Sequence, residues 1–404
     1  QLDSSQKICF VGSHVSALPK EVLSINSVDF VLFNEGVYAL RDLLNTNLSD
    51  YLNKVDGIGY KEDNNLIINK SNKLVPQEKM HIDMPGYAWD LLPKNNSLLD
   101  KYRAHYFHSF FSDNDRTPFA AVYSSLGCRF GCNFCMINII NRTDTNENVS
   151  AADSKLMRHW DVNFFLDQME LLSKNNVYTV RLSDEMFFLN KNFYAPILEG
   201  IIERGLKFNL WAYARVDTIR EDQLELFKKA GVNWLCLGIE AGNQEVRMNI
   251  EKGKFRKINI RNVVKLIKSY DINILGNYIF GLPEDNIDTM EETVQLAMEL
   301  NTEHANFYPC QALPGSPLYF EAKLNGWDTP KNYEEYAFFS YECKPLPTKH
   351  ISGKEVLKFR DDAFQRYFNN PNYLRLVEKK FGSNQKNNVL EMTKVKLKRK
   401  ILEN

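Results

Sequence analysis

The sequence predicts an α/β protein built around an incomplete barrel of six parallel strands. Three observations lead to this prediction. From about Phe119, short apolar runs alternate with amphipathic stretches, six strand-helix units can be counted, and glycines close two of the helical stretches. Such alternation is typical of a parallel sheet covered by helices. Six units are too few for a closed eight-stranded barrel, so we expect an open one with functional groups at the carboxyl ends of its strands.

Each predicted element has its own local pattern. The apolar runs expected to be strands are FAAVYSSLG, VYTVRLSDE, KFNLWAYAR, VNWLCLGIEAG, INILGNYIFGLPE and HANFYPCQALPG. The stretches with helical spacing between them are VNFFLDQMELLSKNN, NFYAPILEGIIERGL, REDQLELFKKAG, INIRNVVKLIKSYD and TMEETVQLAMEL. Gly205 and Gly231 are expected to end two helices. Thr289 and Glu292 are expected to form a capping box at the start of the last one.

The segments that flank the barrel differ from it in pattern. Upstream, KICFVGSHVSALPKEVLSINSVDFVLFNEGVYALRDLL resembles half of a doubly wound Rossmann-like domain, and DGIGYKEDNNLIINKS predicts a hairpin. A connector rich in Pro, His and aromatic residues follows. Downstream, EVLKFRDDAFQRYF predicts a helical region, and the basic end KVKLKRKILEN is expected to be a solvated or frayed helix. The predicted boundaries are 1–60, 61–117, 118–320 and 321–404.

Composition narrows the class of protein. The 404 residues are 44% hydrophobic, and a net charge of −1 creates no overall field for nucleic acid or an anionic membrane. We find no apolar run of about 20 residues that would predict a membrane span. Seven cysteines, an odd number and mostly scattered, argue against a secreted disulfide scaffold and favour the reducing cytoplasm. Because the chain starts without Met in a strand-like segment, we expect the natural N-terminus to be missing.

Three cysteines, Cys128, Cys132 and Cys135, lie within eight residues in SSLGCRFGCNFCMIN, directly after the first predicted barrel strand. Unrelated structural cysteines would seldom cluster in this way. A zinc site needs a fourth ligand, and no second Cys or His pair follows. A redox dithiol needs only two of the three thiols. A four-iron cluster usually takes four thiolates, so three would leave one iron open for chemistry. We therefore interpret the motif as a 4Fe-4S cluster site.

This Cys-x3-Cys-x2-Cys loop resembles the signature of the radical S-adenosylmethionine (SAM) superfamily. The resemblance implies that the open iron chelates the amino and carboxylate groups of S-adenosyl-L-methionine. It also implies that an electron from the cluster breaks the sulfur–carbon bond, which gives methionine and a 5′-deoxyadenosyl radical that abstracts hydrogen from a substrate. An electron donor such as flavodoxin or ferredoxin is implied as a partner.

Residues beyond the cysteines extend the resemblance, which covers roughly Phe119 to Leu318. Phe134 stands where superfamily members place an aromatic ring near the adenine, although simple loop packing would also explain it. Asp184 and Glu185 in VRLSDEMFFLN match an acidic pair at the end of the second strand. The resemblance implies that these carboxylates accept hydrogen bonds from the SAM ammonium group. A salt-bridged rim is the structural alternative.

Three later segments resemble the superfamily in the same order. Arg215 in WAYARVDTI is placed to bind the methionine carboxylate in a bidentate manner. Glu240 in LGIEAGNQEVRMNIEKG is implied to project from the fourth strand toward SAM. Gly281 in NYIFGLPEDN is implied to let the backbone approach the adenine. Each segment alone is a weak signal, and their order along the chain strengthens the interpretation.

The N-terminal segment VGSHVSALPKEVLSINSVDFVLFNEG resembles the second half of the cobalamin-binding domain of a large radical SAM subgroup. The residues that match the subgroup pattern are His14, Ala17, Leu18, Pro19, Glu21, Asp29, Glu35 and Gly36. Val11 replaces a glycine that lies against the nucleotide tail of cobalamin in the subgroup, so its side chain would crowd that tail. We expect cobalamin binding in the full-length protein and weak or no binding by this chain. His14 is not assigned as a cobalt ligand.

The predicted function is that of a radical SAM enzyme, a cobalamin-dependent methyltransferase acting on an unactivated carbon of a small-molecule or natural-product substrate. One alternative is a cobalamin-independent radical SAM enzyme: an isomerase, cyclase, dehydrogenase or methylthiotransferase. A methylthiotransferase would need a second cluster, and Cys236, Cys310 and Cys343 lack clustered spacing. A zinc-stabilised binding protein is the alternative from another class.

Two further features concern the substrate pocket. The segment KYRAHYFHSFF, with His105 and His108, predicts a lid or pocket wall, and core packing explains its composition equally well. Cys310 lies near the end of the sixth strand and is either a hydrogen donor or a small buried residue. The identity of the substrate cannot be predicted from these residues.

Overall fold

The fold is described from a computed structural model, which covers residues 6–108, 116–147, 149–250 and 258–403. The chain divides into two compact units. The N-terminal unit comprises Gln1–Pro85, Gly127–Trp160 and Ala312–Trp327. The barrel unit comprises Gly86–Leu126, Asp161–Gln311 and Asp328–Asn404. The four domain boundaries drawn from the sequence stay a prediction.

The N-terminal unit contains a small mixed sheet. Its strands, in the order β1-β2-β3-β4, are β1 (Cys9–Val11), β2 (Phe30–Leu32), β3 (Ile58–Glu62) and β4 (Asn65–Ile68). β1 and β2 are parallel, whereas β2, β3 and β4 are antiparallel to their neighbours. The helices in the first 85 residues are α1 (Ser13–Ala17), α2 (Pro19–Leu23), α3 (Val37–Leu44) and α4 (Met80–Asp83). The predicted partial α/β domain and its hairpin are thus confirmed.

Strand β2 is apolar on both faces because helices cover both sides of it. Phe30 and Leu32 pack with Leu43 of α3, whereas Val31 packs with Leu23 of α2. Side chains alternate between the two faces of a strand, so a continuous apolar run is buried on both sides. The continuous apolar run in DFVLF is therefore explained by the helices that cover both faces of β2.

The barrel unit is built on six parallel strands. They are β5 (Phe119–Val122), β8 (Thr179–Leu182), β9 (Asn209–Arg215), β10 (Val232–Glu240), β11 (Asn273–Phe280) and β12 (His304–Pro309). Their order in the sheet follows the order in the chain, from β5 to β12, and every described pairing is parallel. The predicted incomplete six-stranded barrel is confirmed. Two short strands, β6 (Ser125–Gly127) and β7 (Met157–His159), flank the cysteine loop.

Helices alternate with the barrel strands and continue to the end of the chain. Those between the strands are α5 (Val162–Lys174), α6 (Lys191–Glu203), α7 (Glu221–Lys229), α8 (Gln244–Asn249), α9 (Ile260–Ser269) and α10 (Ile287–Leu300). Those after the strands are α11 (Pro317–Leu324), α12 (Gly353–Phe368), α13 (Pro371–Phe381), α14 (Ser383–Lys394) and α15 (Lys400–Glu403). The predicted helical C-terminal region is therefore present. No helix among the described residues is long and apolar enough to cross a membrane.

The predicted capping box of α10 is wrong by one helical turn. The helix begins after Asn286, whose side chain accepts a hydrogen bond from the Thr289 backbone at 3.0 Å. The Thr289 hydroxyl in turn accepts from the Asn286 backbone at 3.0 Å. Thr289 is therefore the third helical residue, and Glu292 instead accepts hydrogen bonds from the Asn243 amide at 3.1 Å.

The two faces of the barrel sheet differ in polarity. Fully or almost fully buried apolar residues occupy one row of paired positions: Val122, Leu182, Ala212, Leu235 and Ile274. This face packs against the helices. The opposite face, here called the inner face, carries half-buried polar and aromatic side chains: Arg181, Trp211, Tyr213, Asn277, Asn306 and Tyr308. The inner face is thus the polar surface of the barrel unit.

The basic C-terminal segment is not a solvated helix along its whole length. Arg399 is only 1% exposed, and its guanidinium donates to Asp361 at 2.9 and 3.1 Å and to the Phe338 and Ser340 carbonyls. These acceptors satisfy the buried charge, which explains why this part of the segment packs against the barrel unit. The expectation of a solvated end is wrong at this residue.

Candidate functional site

The three predicted cluster ligands lie on one tight loop in the N-terminal unit. Cys128 and Cys132 are buried, and Cys135 is half-buried. The Cys135 backbone N–H donates to the Cys132 carbonyl at 3.1 Å, which closes a turn between these two residues. At the other end, the Cys128 backbone N–H donates to Asn138 Oδ1 at 2.8 Å, and the Phe130 N–H donates to Cys128 Sγ at 3.4 Å. The structure therefore brings the three cysteines together on a braced loop.

Two asparagines and a glycine hold the loop, and the asparagines were not singled out as site residues from the sequence. Asn141 Nδ2 donates to the Leu156 carbonyl at 2.9 Å, and Asn138 follows the last cysteine by three residues. Gly127 has a φ of +87°, and a Cβ there would come within 2.1 Å of the Leu156 oxygen. Only glycine tolerates both constraints. The two asparagines in MINIIN could have indicated from the sequence that side chains hold this loop.

The cysteine loop fits an iron–sulfur cluster by the chemistry of its donors. Among the described residues, no group of three His, Cys, Asp or Glu side chains is arranged to hold a single metal ion. A cluster makes a different demand, because each thiolate binds a different iron. Three thiols on one loop supply three such ligands. The hydrogen bond from the Phe130 N–H to Cys128 Sγ is of the kind that tunes the reduction potential of a cluster. Phe134, half-buried, lies between the second and third thiols.

In the barrel unit, Asp184 is fully buried just beyond β8. Its carboxylate accepts hydrogen bonds from the Ser124 backbone at 3.1 Å, the Ser124 hydroxyl at 2.7 Å and the Ser125 hydroxyl at 2.5 Å. Burial raises the pKa of this carboxyl, while the serine hydrogen bonds favour its charged form. Much of the bonding capacity of Asp184 is thus used to tie the end of β8 to the residues after β5.

Glu185, the other half of the acidic pair, lacks the hydrogen bonds that Asp184 accepts from described residues. It is half-buried and forms no hydrogen bond or ion pair with any described residue. Burial, and next the neighbouring Asp184 charge, raise the pKa of this carboxyl to about 7. Of the two predicted ammonium acceptors, Glu185 has the carboxylate that remains available to a ligand.

Arg215 ends β9 and is held by a residue that the sequence interpretation overlooked. Its Nε and Nη2 donate to the two carboxylate oxygens of Asp217 at 2.8 and 2.6 Å, and both side chains are less than 10% exposed. Such a bidentate pair is strong and geometrically specific. A second carboxylate, such as that of methionine, would have to share the guanidinium with Asp217. The sequence could have indicated this ion pair, because Asp217 follows Arg215 by two residues in ARVD.

Glu240 ends β10 in an uncommon backbone conformation. Its φ is +67°, the side chain is buried, and the pairing of β10 with β11 shifts register between Gly238 and Glu240. A non-glycine residue in this region costs of the order of 1 kcal/mol or more, and such residues cluster at functional sites. The irregularity turns this carboxylate away from the regular alternation of the strand.

Gly281 follows β11 and packs closely against α12. Its φ is +83°, and a Cβ there would lie 2.5 Å from a methyl group of Val356 in α12. Its N–H donates to Asp285 at 3.1 Å, a buried carboxyl whose pKa burial raises to about 6. The glycine is therefore required by packing and conformation, while its role toward the adenine stays a prediction.

The residues that matched a cobalamin-binding pattern have structural roles in the N-terminal unit. Glu35 forms a buried ion pair with Arg158 at 2.7 Å, and Arg158 Nη1 donates to the Val75 carbonyl at 2.6 Å. His14 Nε2 lies 3.0 Å from the Glu21 carboxylate. These contacts explain part of the pattern without a ligand.

Comparison with known proteins bears on the cysteine loop and on the barrel. A family profile described as the radical SAM superfamily matches residues 122–297. This part of the chain belongs to the radical SAM superfamily. It is 26% identical over 366 residues to an uncharacterized methyltransferase of Pyrococcus horikoshii, covering 90% of this chain and 72% of that protein. It is 25% identical over 262 residues to the bacteriochlorophyllide d C-12(1)-methyltransferase of Chlorobaculum tepidum, covering 61% of this chain and 53% of that enzyme.

Solved structures share the fold of this radical SAM protein at low sequence identity. The cobalamin-dependent SAM radical enzyme OxsB, with aqua-cobalamin bound, has a TM-score of 0.64 at 16% identity and covers 96% of this chain. The radical SAM methyltransferase TsrM from Kitasatospora setae, with tryptophan substrate and a SAM analogue bound, has a TM-score of 0.62 at 14% identity and covers 91%. The matched regions span 58% of OxsB and 72% of TsrM.

In the radical SAM subgroup that the N-terminal segment resembles, the loop after the corresponding strand lies against the nucleotide tail of cobalamin. Val11 is 55% exposed, and Gly12 has a φ of +129° with no atom within 4 Å of the position that a Cβ would take. The glycine position thus fits the close approach of a ligand. The exposed Val11 side chain lies next to Gly12 in the chain, and its crowding of a cobalamin tail stays a prediction. The residues present fit one edge of a cobalamin site.

The described end of the predicted lid segment is packed on the barrel strands, as the core-packing alternative expects, and its role as a lid stays a prediction. His108 stacks on Trp211 of β9 with ring centroids 4.1 Å apart, and Phe107 lies 4.6 Å from His304. Residues 109–111 of the segment lie outside the described residues. Cys310 is 2% exposed, and burial raises the pKa of its thiol, so it is a small buried residue rather than a reactive thiolate.

Proposed function

We propose that this radical SAM enzyme is a cobalamin-dependent methyltransferase that acts on an unactivated carbon of a small-molecule substrate. The observation that carries the proposal is a three-cysteine loop held by the Asn138 hydrogen bond, which follows in the chain the first strand of a six-stranded parallel barrel. Methyltransferase names among relatives that match both units support the finer assignment. When bound, the cluster supplies the electron that cleaves SAM, and cobalamin supplies the methyl group.

The residues of the cysteine loop would hold the cluster. Cys128, Cys132 and Cys135 would each bind one iron, which leaves the fourth iron for SAM. Phe134, on the same loop, would pack against the adenine. The Asn138 contact would keep the Cys128 backbone in place while the cluster changes its charge.

Residues at the ends of the barrel strands would bind and orient SAM. Glu185 would accept hydrogen bonds from the ammonium group, since its carboxylate bonds to no described residue. Asp184 would support Glu185 from behind by fixing the strand end. Glu240 and Arg215 would contact the polar groups of SAM, and Gly281 would allow the backbone to approach the adenine. The inner face would hold the substrate and exclude water.

The test combines cluster assembly with cofactor retention in the full-length protein. After anaerobic reconstitution, we expect about four irons per chain, cleavage of SAM to 5′-deoxyadenosine, and retained cobalamin. Cys132→Ala should remove the iron–sulfur absorbance, whereas Cys343→Ala, outside the loop, should keep it. An unchanged cluster yield in Cys132→Ala would overturn the radical SAM assignment of these ligands. One bound zinc without SAM cleavage would support the binding-protein alternative.

A cobalamin-independent radical SAM activity is the second candidate, and one observation favours it. Val11 occupies space at the loop where a glycine would suit the cobalamin tail. The relatives also include an anaerobic magnesium-protoporphyrin IX monomethyl ester cyclase of Rubrivivax gelatinosus, 28% identical over 258 residues. SAM cleavage by full-length protein that retains no cobalamin would favour this candidate.

A further inference from the structure

Arg181 places a guanidinium on the inner face without an acidic partner. It lies opposite Trp211 in the register of β8 and β9, and its guanidinium carbon is 5.4 Å from the centroid of the indole ring. Its Nε donates to the Ser183 hydroxyl at 3.0 Å. Its other two nitrogens bond to no described residue, and it forms no ion pair within the described part of the chain.

Arg181 differs in this respect from the other cation of the barrel strands. Arg181 and Arg215 are the two Lys or Arg residues within the six strands. Arg215 is neutralised by its bidentate contact with Asp217. Glu185 is an acidic neighbour whose pKa responds to Arg181, and yet the two side chains form no ion pair. Arg181 is therefore the cation of the six strands that has no ion-pair partner among the described residues, and it lies on the inner face.

The other side chains named on the inner face offer hydrogen bonds, while the charges of Glu185 and Glu240 act on its phenols. Asn306 Nδ2 donates to Asn277 Oδ1 at 3.0 Å, and Asn277 Nδ2 donates to Cys236 Sγ at 2.9 Å. The hydroxyls of Tyr213 and Tyr308 form no hydrogen bond with any described residue. The inner face thus presents one cation beside phenols and amides, which suits a polar molecule better than an apolar lipid.

Aromatic residues close the inner face beside Arg181. His108 stacks on the same indole ring, 4.1 Å away, and Phe381 stacks on Trp234 at 5.9 Å. A guanidinium beside such rings is partly removed from water, so an unpaired charge there is costly. A planar carboxylate offers two acceptor oxygens that match two guanidinium nitrogens.

We infer that the substrate carries a carboxylate, which pairs with the free nitrogens of Arg181 on the inner face while Trp211 supports the guanidinium from its other side. This inference rests on the proposed function, since it assigns the substrate of that same enzyme. One positive charge balances a monoanion better than a phosphate dianion. Arg181 is then a residue that determines substrate specificity, separate from those proposed to bind SAM.

The test compares acids with their neutral amides as ligands of the full chain. The probes are three pairs of increasing size: acetate and acetamide, benzoate and benzamide, and indole-3-acetate and indole-3-acetamide. Binding is followed by isothermal titration and by tryptophan fluorescence, to which Trp211 contributes. We expect at least one acid to bind at least tenfold more tightly than its amide. Arg181→Gln should remove that preference, and Arg181→Lys should retain part of it.

Control variants keep the outcome interpretable. Arg375→Gln removes an exposed arginine of α13 and should leave the preference for the acid unchanged. Trp211→Phe should weaken acid binding only a few fold. Equal binding of acids and amides by the wild type would overturn the inference. So would a preference that persists in Arg181→Gln, or tighter binding of inorganic phosphate than of any acid.

Failure of this inference can be distinguished from failure of the proposed function. Protein that cleaves SAM to 5′-deoxyadenosine and yet shows no preference for acids contradicts the substrate class alone. Protein that prefers acids through Arg181 and cleaves no SAM contradicts the enzyme assignment alone. SAM binding should be unchanged in Arg181→Gln, and a loss of SAM affinity in that variant would instead place Arg181 at the cofactor and overturn its assignment to the substrate.

Discussion

The Ser124 hydroxyl donates a hydrogen bond to the Asp184 carboxylate at 2.7 Å, and the Ser124 backbone N–H donates to the same carboxylate at 3.1 Å. These bonds join the residues that follow β5 and β8, which are neighbours in the sheet. Cys128 follows Ser124 by four residues. Asp184 therefore fixes the point from which the chain departs toward the cysteine loop.

Replacing Asp184 should destabilise the barrel unit. Asp184→Ala leaves a buried backbone N–H and two serine hydroxyls without their acceptor, so we expect the free energy of unfolding to fall by about 2–4 kcal/mol. Asp184→Asn keeps one acceptor oxygen and should lose less. Urea denaturation of the unloaded chain measures the difference. Asp222→Ala, at a carboxylate that is 62% exposed, should change stability by less than about 1 kcal/mol; an equal loss in both Ala variants would contradict this role.

Glu185 should make stability depend on pH. Its pKa is about 7 in the folded chain and near 4.5 in the unfolded chain, so the folded state holds the proton more tightly. As pH rises from about 4.5 to about 7, the unfolded chain loses the Glu185 proton before the folded chain does. The free energy of unfolding therefore falls by about 3 kcal/mol over this range. Glu185→Gln lacks this titration. Urea midpoints of both proteins across this range should diverge, the variant becoming relatively more stable at higher pH; parallel curves would contradict the prediction.

The buried ion pair between Glu35 and Arg158 should be costly to break from one side. Glu35→Gln leaves the Arg158 charge buried without its partner, and we expect a loss of about 3–5 kcal/mol. Glu35→Gln combined with Arg158→Met should recover part of that loss, because the charge is then also gone. Lys70→Gln removes an ion-paired lysine that is 81% exposed and is the control. Thermal and urea unfolding measure all four proteins, and a double variant no more stable than Glu35→Gln would count against this explanation.

Gly281→Ala should separate backbone conformation from packing. A Cβ would lie 2.5 Å from Val356 Cγ1, and the φ of +83° is unfavourable for alanine, so we expect a loss of about 2–4 kcal/mol. Gly205→Ala, at a φ of +64° with no atom near the added Cβ, should show only the conformational part, about 1 kcal/mol. Adding Val356→Ala to Gly281→Ala should relieve the steric part, after allowance for the cost of Val356→Ala alone. Absence of such coupling in a urea double-mutant cycle would contradict the packing explanation.

Local patterns were sufficient to predict the barrel. Each strand is a short apolar run bounded by polar or turn residues, and each helix repeats its apolar residues at helical spacing. Gly205 and Gly231 end helices with φ values of +64° and +88°, as expected of glycine at these positions. Such signals depend on residues close in the chain, which explains why the six-stranded parallel barrel and the ends of these two helices were predicted correctly.

Two of the failures concern partners that are distant in the chain. Asp184 and Ser124 are 60 residues apart, and a sequence pattern does not reveal that a serine will donate hydrogen bonds to the carboxylate. Arg399 and Asp361 are 38 residues apart, so the basic end appeared solvated. The misplaced capping box of α10 has a local cause, since Asn286 and Thr289 compete with Thr289 and Glu292 for the same role. Charged side chains therefore need the tertiary structure before a role can be assigned.

The left-handed backbone of Glu240 has an evolutionary consequence. Glycine at this position would relieve strain of about 1 kcal/mol or more, and a single nucleotide change converts a glutamate codon into a glycine codon. Selection for a stable fold alone would therefore tend to replace the glutamate. Under the proposed function, contact of the Glu240 carboxylate with SAM would offset this loss of stability at the end of β10.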